Sequence, residues 1–533
     1  KPFCPGAEPC AKALYLDEVL VQKQSRRPTY MLKGRVMRTV LVLMDTLRRD
    51  VLSCYNPQTE VKTPNLDRFA ERSCVFDNHW IGSAPCMPAR RDIMCGRYNF
   101  LERPWGPIEP FDVTLPQCLR AAGAFCHITT DHCHYLRTGG EGYLQEFNTW
   151  DYYRGQEGDP WVSRIDEPDN MPETFYGRVR EQYQKNRQKW PREEDMPSPK
   201  TFQSACDWVE DNKGKDDFFL MVEAFDPHEP FDVPDKYMEM YGGKGELDRD
   251  YFEIPQYKRV SDTDLNDGAV DYIQRRYQAL VTMTDHWFGK LIDKLDENGM
   301  FEDTMIMVTT DHGYFLGERD YMGKNYMHLY NELAHLPFIV HFPGGARAGE
   351  HAPQLPQAID IMPTVLEAHG CEIPREVTGV SLVPLMTDPD APARDYALYG
   401  VHGMTVNVTD GRYTYFRAPV EGNQPCFEYA ALPHTIRKKM GSDCPEEIEC
   451  GRFFARTAYP LFKIPCKRPA QIESAAPLAE VAQTMLFDLE SDYGQKNNLA
   501  GKGLPEERKM VDLLLRGLEE HESPVEQRER LGL

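Results

Sequence analysis

The sequence predicts an α/β protein in which helices flank a large, mostly parallel central sheet, with a smaller C-terminal antiparallel-sheet subdomain. Short apolar runs alternate with helical patterns as far as about Pro384, an alternation typical of a mostly parallel sheet covered on both faces. Beyond that point, short alternating runs predict antiparallel strands. With 533 residues, the chain is also too long for one small core.

The domain boundaries follow from the same patterns. We interpret residues 1–36 as an irregular N-terminal extension, because the first apolar run begins just after Met37. Residues 37–384 form the predicted α/β domain. An insertion around 151–199 is rich in Arg, Glu, Pro and Trp and has weak periodicity. Residues 385–533 form the predicted C-terminal subdomain.

Five buried strands are predicted in the α/β domain, at 39–44, 124–129, 218–225, 305–310 and 338–342. Helices are predicted between them, in TPNLDRFAERS, TLPQCLRAAG, TFQSACDWVEDN and YIQRRYQALVTMTDHWFGKLIDKLDENG. In the C-terminal subdomain, YALYGVHGMTVNVTDGRYTYFRAP predicts a hairpin around Asp410 and Gly411. One more strand follows in TMLFDLES, and a polar helix closes the chain.

Composition excludes several classes of partner. The formal net charge of -23 argues against nucleic-acid binding, which needs a basic face. No run approaches the roughly 18 apolar residues of a membrane span, so we expect no membrane partner. Fifteen irregularly spaced cysteines indicate a reduced compartment rather than a disulfide framework. We expect a cytoplasmic location, or a periplasmic or secreted one if a leader has been trimmed.

Polar side chains that can bind a metal follow two of the predicted strands. Asp45 ends the first strand, and Asp311 and His312 end the fourth. Ligands of parallel sheets bind beyond the carboxyl ends of the strands. A lone carboxylate there is more often a cap or loop residue, but two at neighbouring strand ends can share one hard divalent cation. Thr46 stands where a second carboxylate would have strengthened this interpretation.

The segment SAPCMPARRDIMCGRYNF places Cys86 at the start of a predicted helix, with Pro88 in its first turn. A cysteine there can be a small buried hydrophobe, a low-pKa nucleophile or the precursor of another catalytic group. The helix start can bind an anion, and Arg90 and Arg91 add charge suited to a tetrahedral oxyanion. A phosphatase-type thiolate needs an arginine six positions after the cysteine, where this chain has Asp92, so that interpretation fails.

The run from Cys86 to Arg90, CMPAR, resembles the Cys-x-Pro-Ser/Ala-Arg signature of the type I sulfatases in the alkaline phosphatase superfamily. Five further blocks resemble those of the family in the same order: VLVLMDTLRRDVLSCYN, KTPNLDRFAERSCVFDNHW, TTDHGYFLGE, GKNYMHLYNELAHLPFIVHFPG and LFDLESDYGQKNNLA. The resemblance covers most of the chain from Met37 onward. It implies an alkaline phosphatase-like fold, a catalytic role for 37–384, and a cysteine that a maturation enzyme oxidises to formylglycine.

The resemblance also implies a metal site. Its expected ligands are Asp45, Asp311, His312 and the hydrated aldehyde made from Cys86. Thr46 occupies a position where the family often has Asp or Gln. We include it among the expected ligands on the ground of that position alone. Oxygen ligands with one imidazole favour Ca²⁺, with Mg²⁺ or Mn²⁺ as substitutes.

Further residues are expected to bind the substrate and take part in turnover. Arg90 would orient the modified side chain. Lys324 in MGKNYMH and His228 in FDPHEPF resemble the family's sulfate-binding residues, and His228 can also protonate the leaving oxygen. TTDHCHYL stands in the place of the family's Gly-Lys-x-His block, so His134 matches its histidine and His132 falls where the family has lysine. The two histidines can alternatively form a metal pair or lie at a polar edge.

The resemblance therefore implies a sulfatase that hydrolyses a sulfate monoester of a small molecule, an aryl alcohol or a carbohydrate. The alternative is a phosphonate monoester or phosphodiester hydrolase of the same superfamily, which uses the same formylglycine and has an Asp-His pair among its metal ligands. A third hypothesis, a catalytically silent binding protein on this scaffold, gives no reason for the motif residues to be retained. The expected partners are the sulfate ester and the maturation enzyme, and a homo-oligomer is left open.

Overall fold

A mixed sheet of eight strands lies at the centre of the described structure. The computed structural model describes residues 37–533 except 167, 169–172, 179, 252–253, 325, 436–444, 446 and 467–481, so the predicted extension 1–36 lies outside the described residues. In chain order the strands are β1 Arg38–Met44, β2 Cys74–Phe76, β3 Phe125–Thr130, β4 Thr149–Tyr152, β5 Phe218–Ala224, β6 Thr304–Thr309, β7 Phe338–His341 and β8 His351–Ala352. Their order across the sheet is β8-β2-β7-β6-β1-β5-β3-β4.

Five strands that are consecutive across the sheet run parallel to one another: β6, β1, β5, β3 and β4. Strand β7 is antiparallel to both of its neighbours. The predicted mostly parallel sheet is thus confirmed. In the register, Leu43 of β1 lies beside both Glu223 of β5 and Thr309 of β6. The carboxyl ends of these three strands therefore meet at one edge, which is where parallel sheets bind ligands.

Strand β1 shows why its apolar run is continuous. Val40 and Val42 pack in the core on one face of the sheet, and Leu41 and Leu43 pack in the core on the other. Successive side chains of a strand point to opposite faces, so a strand covered on both faces needs apolar residues at every position.

The helices of the described residues confirm the predicted alternation. In chain order they are α1 Pro64–Glu71, α2 Cys86–Cys95, α3 Leu115–Ala121, α4 Gly142–Gln145, α5 Glu181–Arg187, α6 Pro197–Asp211, α7 Asp235–Met238, α8 Asp267–Glu297, α9 Asn331–Ala334, α10 Ile361–Ala368, α11 Pro505–Glu520 and α12 Glu526–Arg530. The longest of them, α8, is capped at its start by Asn266, whose side chain accepts a hydrogen bond from Ala269 N at 2.9 Å. None of these helices is both long and apolar enough to cross a membrane.

The C-terminal antiparallel sheet is also confirmed. Its strands are Ala397–Gly400, Val406–Thr409, Tyr413–Arg417 and Met485–Asp488, and α11 packs against it. The predicted hairpin turn is present, with Asp410 Oδ1 accepting from the backbone of Arg412 and Tyr413. Gly411 there has a φ of 90°, a conformation that favours glycine.

The sequence analysis did not predict strands β2, β4 and β8. Strand β4 overlaps the start of the predicted insertion and lies at the sheet edge, largely exposed, so it has no continuous apolar run. The other two contain three and two residues. Four small sheets were also missed: Phe427–Ala430 with Leu461–Pro465 and Glu449–Gly451; Phe315–Leu316 with Tyr321–Gly323 and Lys258–Arg259; His79–Trp80 with His335–Leu336; and Phe175–Tyr176 with Asp250–Tyr251.

Candidate active site

Four of the five predicted metal ligands form one cluster at the carboxyl edge of the sheet, and the fifth, Thr46, lies against it. Asp45 directly follows β1, and Asp311 and His312 follow β6. Cys86 is the first residue of α2. Ligand atoms of these four buried residues all lie within 4.8 Å of one another. The arrangement can hold one metal ion.

The position of Cys86 depends on a buried carboxylate within its own helix. Asp92 accepts hydrogen bonds from both the backbone N and the Oγ of Ser83, at 2.7 and 2.8 Å, and from Asn99 N at 2.8 Å. These bonds tie the loop before Cys86 to the helix that follows it. Burial raises the pKa of Asp92 to about 7. Asp92, whose presence excluded a phosphatase-type loop, thus helps to hold Cys86 in position.

Burial raises the pKa of the Cys86 thiol well above its usual value, and the nearby Asp45 adds to the effect while Lys324 opposes it. The side chain is 2 % exposed, and its Sγ lies 3.1 Å from His312 Nε2. These surroundings favour a protonated thiol. They therefore do not support the low-pKa nucleophile among the three roles considered for this cysteine.

Arg90 lies one turn after Cys86 and connects the site to three strands. Its guanidinium donates to Asp45 Oδ2 at 2.8 Å, Asp311 Oδ2 at 2.6 Å and Glu223 Oε1 at 2.5 Å. Burial raises the pKa of Asp45, but Arg90 and Lys324 outweigh it and hold that pKa below its usual value. The arginine thus keeps a candidate metal-binding carboxylate ionised and fixed in orientation.

His312 is oriented as a metal-binding histidine would be. Its Nδ1 lies 2.9 Å from the carbonyl oxygen of Gly313, which can only accept, so Nδ1 carries the proton and Nε2 is left with its lone pair. That nitrogen lies 3.4 Å from Asp311 Oδ2. Gly313 itself allows a close approach, since a Cβ there would lie 1.9 Å from the carbonyl oxygen of Glu332.

Thr46 lies in the site as a bridge between the metal cluster and Lys324. Its Oγ1 donates to Asp45 Oδ1 at 2.8 Å and accepts from Lys324 Nζ at 3.2 Å. The residue has a φ of 67°, which is uncommon for a β-branched side chain, and Tyr277 holds its carbonyl at 2.8 Å. The structure places this hydroxyl beside the four-residue cluster.

Lys324 and His228 lie beside the cluster and are both buried. Burial lowers the pKa of Lys324, but Cys86 and Glu229 outweigh it, so the pKa is raised and the ammonium stays charged. Burial and Lys324 lower the pKa of His228 well below its usual value. His228 Nδ1 donates to the carbonyl oxygen of Glu229, which leaves Nε2 as the accepting nitrogen. The pair presents one fixed cation and one neutral imidazole.

The two histidines after β3 occupy different positions. His132 Nδ1 lies 3.8 Å from Asp45 Oδ2, and within the described structure neither ring nitrogen has a hydrogen-bond partner. The ring of His134 lies 5.0 Å from that of His132 and contacts Trp105 edge to face. Buried nitrogens without a hydrogen-bond partner are costly, so we expect a ligand or a water molecule to meet the ring of His132.

The sequence analysis missed three carboxylates of this site. Glu223 interrupts the apolar run FFLMVEAF, a signal that was available, and it binds Arg90 and Thr130 Oγ1. Glu229 follows His228, and within the described structure its Oε2 has no hydrogen-bond partner. Glu157, from the segment YYRGQEGDPW, places a carboxylate oxygen within 4.8 Å of ligand atoms of His228 and Glu229. That segment therefore lines the site.

Comparisons with known proteins point to one family. The family model described as Sulfatase matches residues 38–371. The multifunctional alkaline phosphatase superfamily protein PehA of Trinickia caryophylli is 28% identical over 406 residues, covering 66% of this chain and 77% of the relative. An arylsulfatase of Clostridium perfringens is 24% identical over 400 residues, covering 68% and 81%.

Solved structures share the fold. A protein in complex with its substrate D-glucosamine-2-N,6-O-disulfate has a TM-score of 0.63 and 16% identity, covering 92% of this chain and 99% of that one. The phosphonate monoester hydrolase of Silicibacter pomeroyi has a TM-score of 0.62 and 19% identity, covering 92% and 96%. At these identities the likeness extends to the fold alone.

Proposed function

The chain belongs to the sulfatase family of sulfuric ester hydrolases, and on that basis we propose that it cleaves a sulfate monoester with a formylglycine made from Cys86 and a divalent cation. One observation carries the proposal. Cys86 begins helix α2, at the start of the CMPAR motif, and its sulfur lies in one cluster with Asp45, Asp311 and His312. A maturation enzyme that reads this motif would be a partner of the unfolded chain, because the mature site is buried.

The modified residue supplies chemistry that no ordinary side chain offers. Once hydrated, a formylglycine would supply one hydroxyl for attack on sulfur as the S–O bond to the alcohol breaks. Its second hydroxyl would lose a proton, which expels the sulfate and restores the aldehyde. The N-terminus of α2 and the guanidinium of Arg90 lie beside this position and favour negative charge there. Asp45 and Asp311 hold Arg90 in place, so its orientation does not depend on substrate.

Charge balance supports a divalent cation in the cluster. The carboxyl groups of the site outnumber its two cations, Arg90 and Lys324, so negative charge is in excess; they belong to Asp45, Asp311, Glu223, Glu229 and Glu157. A divalent cation offsets that excess and favours the binding of a sulfate monoester, which carries a negative charge of its own. Asp45, Asp311 and His312 would hold the cation, and its charge would stabilise the oxygens of the sulfate. We propose Ca²⁺, with Mg²⁺ or Mn²⁺ as substitutes.

Substrate binding falls to the side chains around the cluster. Lys324 is charged and fixed, so it can hold a sulfate oxygen next to the position of Thr46. His132 offers its two ring nitrogens nearby. His228 accepts at Nε2 in the substrate-free protein, and the negative charge of a bound sulfate would favour a proton there for the leaving oxygen.

The structure of a relative with a disulfated glucosamine supports a carbohydrate sulfate, and the arylsulfatase relative supports an aryl sulfate. The alternative, a phosphonate monoester hydrolase, is supported by the similarity to the enzyme of Silicibacter pomeroyi. A neutral Thr46 gives the site less negative charge than an Asp at the same position would, and this suits either substrate.

Parallel kinetics on a nitrophenyl sulfate and a nitrophenyl phosphonate monoester test the proposal. Protein co-expressed with a maturation enzyme should have the higher kcat/KM on the sulfate, and Cys86→Ala should have no activity on either. A higher kcat/KM on the phosphonate would assign the alternative. No turnover of either substrate, or of sugar sulfates, by protein shown to carry the aldehyde would favour a silent binding protein.

A further inference from the structure

A second cluster of metal-binding side chains lies in the C-terminal part of the chain. Cys426 and Cys466 face each other across the ends of two antiparallel strands, where Cys466 N donates to Cys426 O at 2.9 Å. Their sulfurs are 3.2 Å apart, and Cys466 Sγ lies 3.5 Å from His402 Nε2. All three ligand atoms lie within 4.8 Å of one another, and none belongs to the site described above.

The imidazole of His402 is fixed in the tautomer that ligates a metal. Its Nδ1 lies 3.0 Å from the carbonyl oxygen of Phe100, which can only accept a hydrogen bond. Nδ1 therefore carries the proton, and the lone pair of Nε2 points toward the sulfurs. Metal-bound histidines are held in this way, with the other ring nitrogen donating to a carbonyl or a carboxylate.

A buried arginine accompanies the two cysteines. Arg530 is 1 % exposed and donates to Gln527 Oε1, Asn423 Oδ1 and the carbonyl oxygen of Met404, all of them neutral acceptors. Its charge interacts with both thiols. A cation whose bonded oxygens are neutral favours anionic sulfur nearby, and thiolate is the form of cysteine that binds metals.

We propose that Cys426, Cys466 and His402 bind a zinc ion. Thiolate and imidazole ligands suit zinc better than the hard cations expected at the carboxylate cluster. Tetrahedral zinc places two sulfurs about 3.8 Å apart and a sulfur and a nitrogen about 3.5 Å apart. The distance from Cys466 to His402 already matches, and the two sulfurs would separate by about half an ångström. Within the described part of the chain these three side chains can ligate the ion, and one further ligand would complete the tetrahedron.

The ion would join parts of the structure that the sequence separates. Cys426 and Cys466 border the sheet that contains Phe427–Ala430 and Leu461–Pro465, whereas His402 follows the strand Ala397–Gly400. The carbonyl oxygen of Gly400 accepts from Ala84 N at 2.9 Å, two residues before Cys86. The proposed role is to stabilise this junction, and substrate does not contact the ion.

Metal analysis of the full chain tests the proposal. Protein purified without chelators should contain about one zinc per chain, and Cys426→Ser and Cys466→Ser should lose it. Cys450→Ser is the matched control, because Cys450 is exposed on the neighbouring strand and should leave the zinc content unchanged. Unchanged zinc in the Cys426 and Cys466 variants would overturn the proposal.

A second measurement uses the unsubstituted chain, so that misfolding of a variant cannot decide the result. Chelator-treated protein is titrated with Co²⁺, which should protect Cys426 and Cys466, but not Cys450, from alkylation. It should also produce a thiolate-to-cobalt charge-transfer band that persists in Cys86→Ala, so that the other cluster is not its source. Absence of the band and of the protection would overturn the proposal. A disulfide between Cys426 and Cys466 in peptides from the freshly purified chain would overturn it as well.

Discussion

The guanidinium of Arg90 binds the carboxylate of Asp311 at 2.6 Å, across 221 positions of sequence. The arginine of the motif around Cys86 thus fixes a residue that the proposal assigns to the metal. Asp45 is held by the same guanidinium at 2.8 Å. The motif residue therefore connects the two halves of the proposed mechanism, the modified cysteine and the cation.

Replacing Arg90 should destabilise the fold as well as the site. Arg90→Met leaves the Asp45, Asp311 and Glu223 carboxylates without their cation, and losing one partner of a buried pair typically costs about 3–5 kcal/mol. Urea unfolding measures the change, with Arg412→Met as the control, because Arg412 pairs with Asp488 at the surface. Equal unfolding midpoints for the two variants would contradict the assigned network.

The proposed cation should depend on both strand-end carboxylates. Asp45→Asn and Asp311→Asn keep the shape of the side chain but remove its charge, so calcium affinity and kcat/KM should fall together. Activity is measured after chelation and after titration with Ca²⁺, Mg²⁺ and Mn²⁺. Full activity in the presence of chelator, or restoration by zinc alone, would argue against this site.

His228 and Lys324 should differ in their dependence on the leaving group. Lys324→Ala removes a fixed positive charge and should cost about 10²–10³ in rate on every substrate. His228→Ala removes the proposed acid, which is worth about 10²–10⁴ for a poor leaving group and much less for a nitrophenol.

The comparison is made on a sugar sulfate and on a nitrophenyl sulfate. Equal losses for His228→Ala on both substrates would remove His228 from the acid role and leave it as a sulfate-binding residue. His134 would then be the next candidate for the acid. His134 is buried beside Trp105, and the same kinetic comparison applied to His134→Ala tests it.

Asp285 should make stability depend on pH. Its Oδ1 accepts from Leu66 N at 2.7 Å and its Oδ2 from the side chain of Asn65 at 2.8 Å, so it caps helix α1 from α8. Burial raises its pKa from 3.8 to about 6. The folded state therefore binds the proton of Asp285 more tightly than the unfolded state does, and this tighter binding adds to the free energy of unfolding. The added free energy, at most about 3 kcal/mol, is fully present below pH 4 and is lost as the pH rises through 6.

Urea unfolding between pH 4 and pH 7 measures this contribution. Asp285→Asn removes the titrating group, so the variant should show a flatter pH dependence of the unfolding free energy than the unsubstituted protein. Parallel curves for the two proteins would show that Asp285 does not titrate as described. The substitution lies outside the candidate site, so kcat/KM should not change.

The sequence predicted those parts of the fold whose signal is local. Strand β1 was visible because burial on both faces requires a continuous apolar run. Strand β4 was not, since its position at the edge leaves its side chains exposed. Cys86, Asp45 and Asp311 could be singled out because they stand at a helix start and at strand ends.

The rest of the site depends on contacts between distant segments. Glu223 acquires its role only through the register of β5 with its neighbours, which no local pattern encodes. Glu157 reaches His228 from a segment some 70 positions earlier, and Cys466 meets His402 through a sheet that was not predicted. Tertiary contacts of this kind follow from the packing of the whole chain.

The mass of the peptide containing Cys86 tests the central claim most directly. Protein made with its maturation enzyme is digested, and mass spectrometry gives the fraction of the peptide in which formylglycine replaces cysteine, a loss of H₂S and a gain of one oxygen atom. This fraction is compared with kcat across preparations that differ in maturation. The proposed mechanism predicts that kcat rises in proportion to the aldehyde fraction and vanishes when only the thiol is present. Fully active enzyme whose Cys86 is entirely unmodified would contradict it.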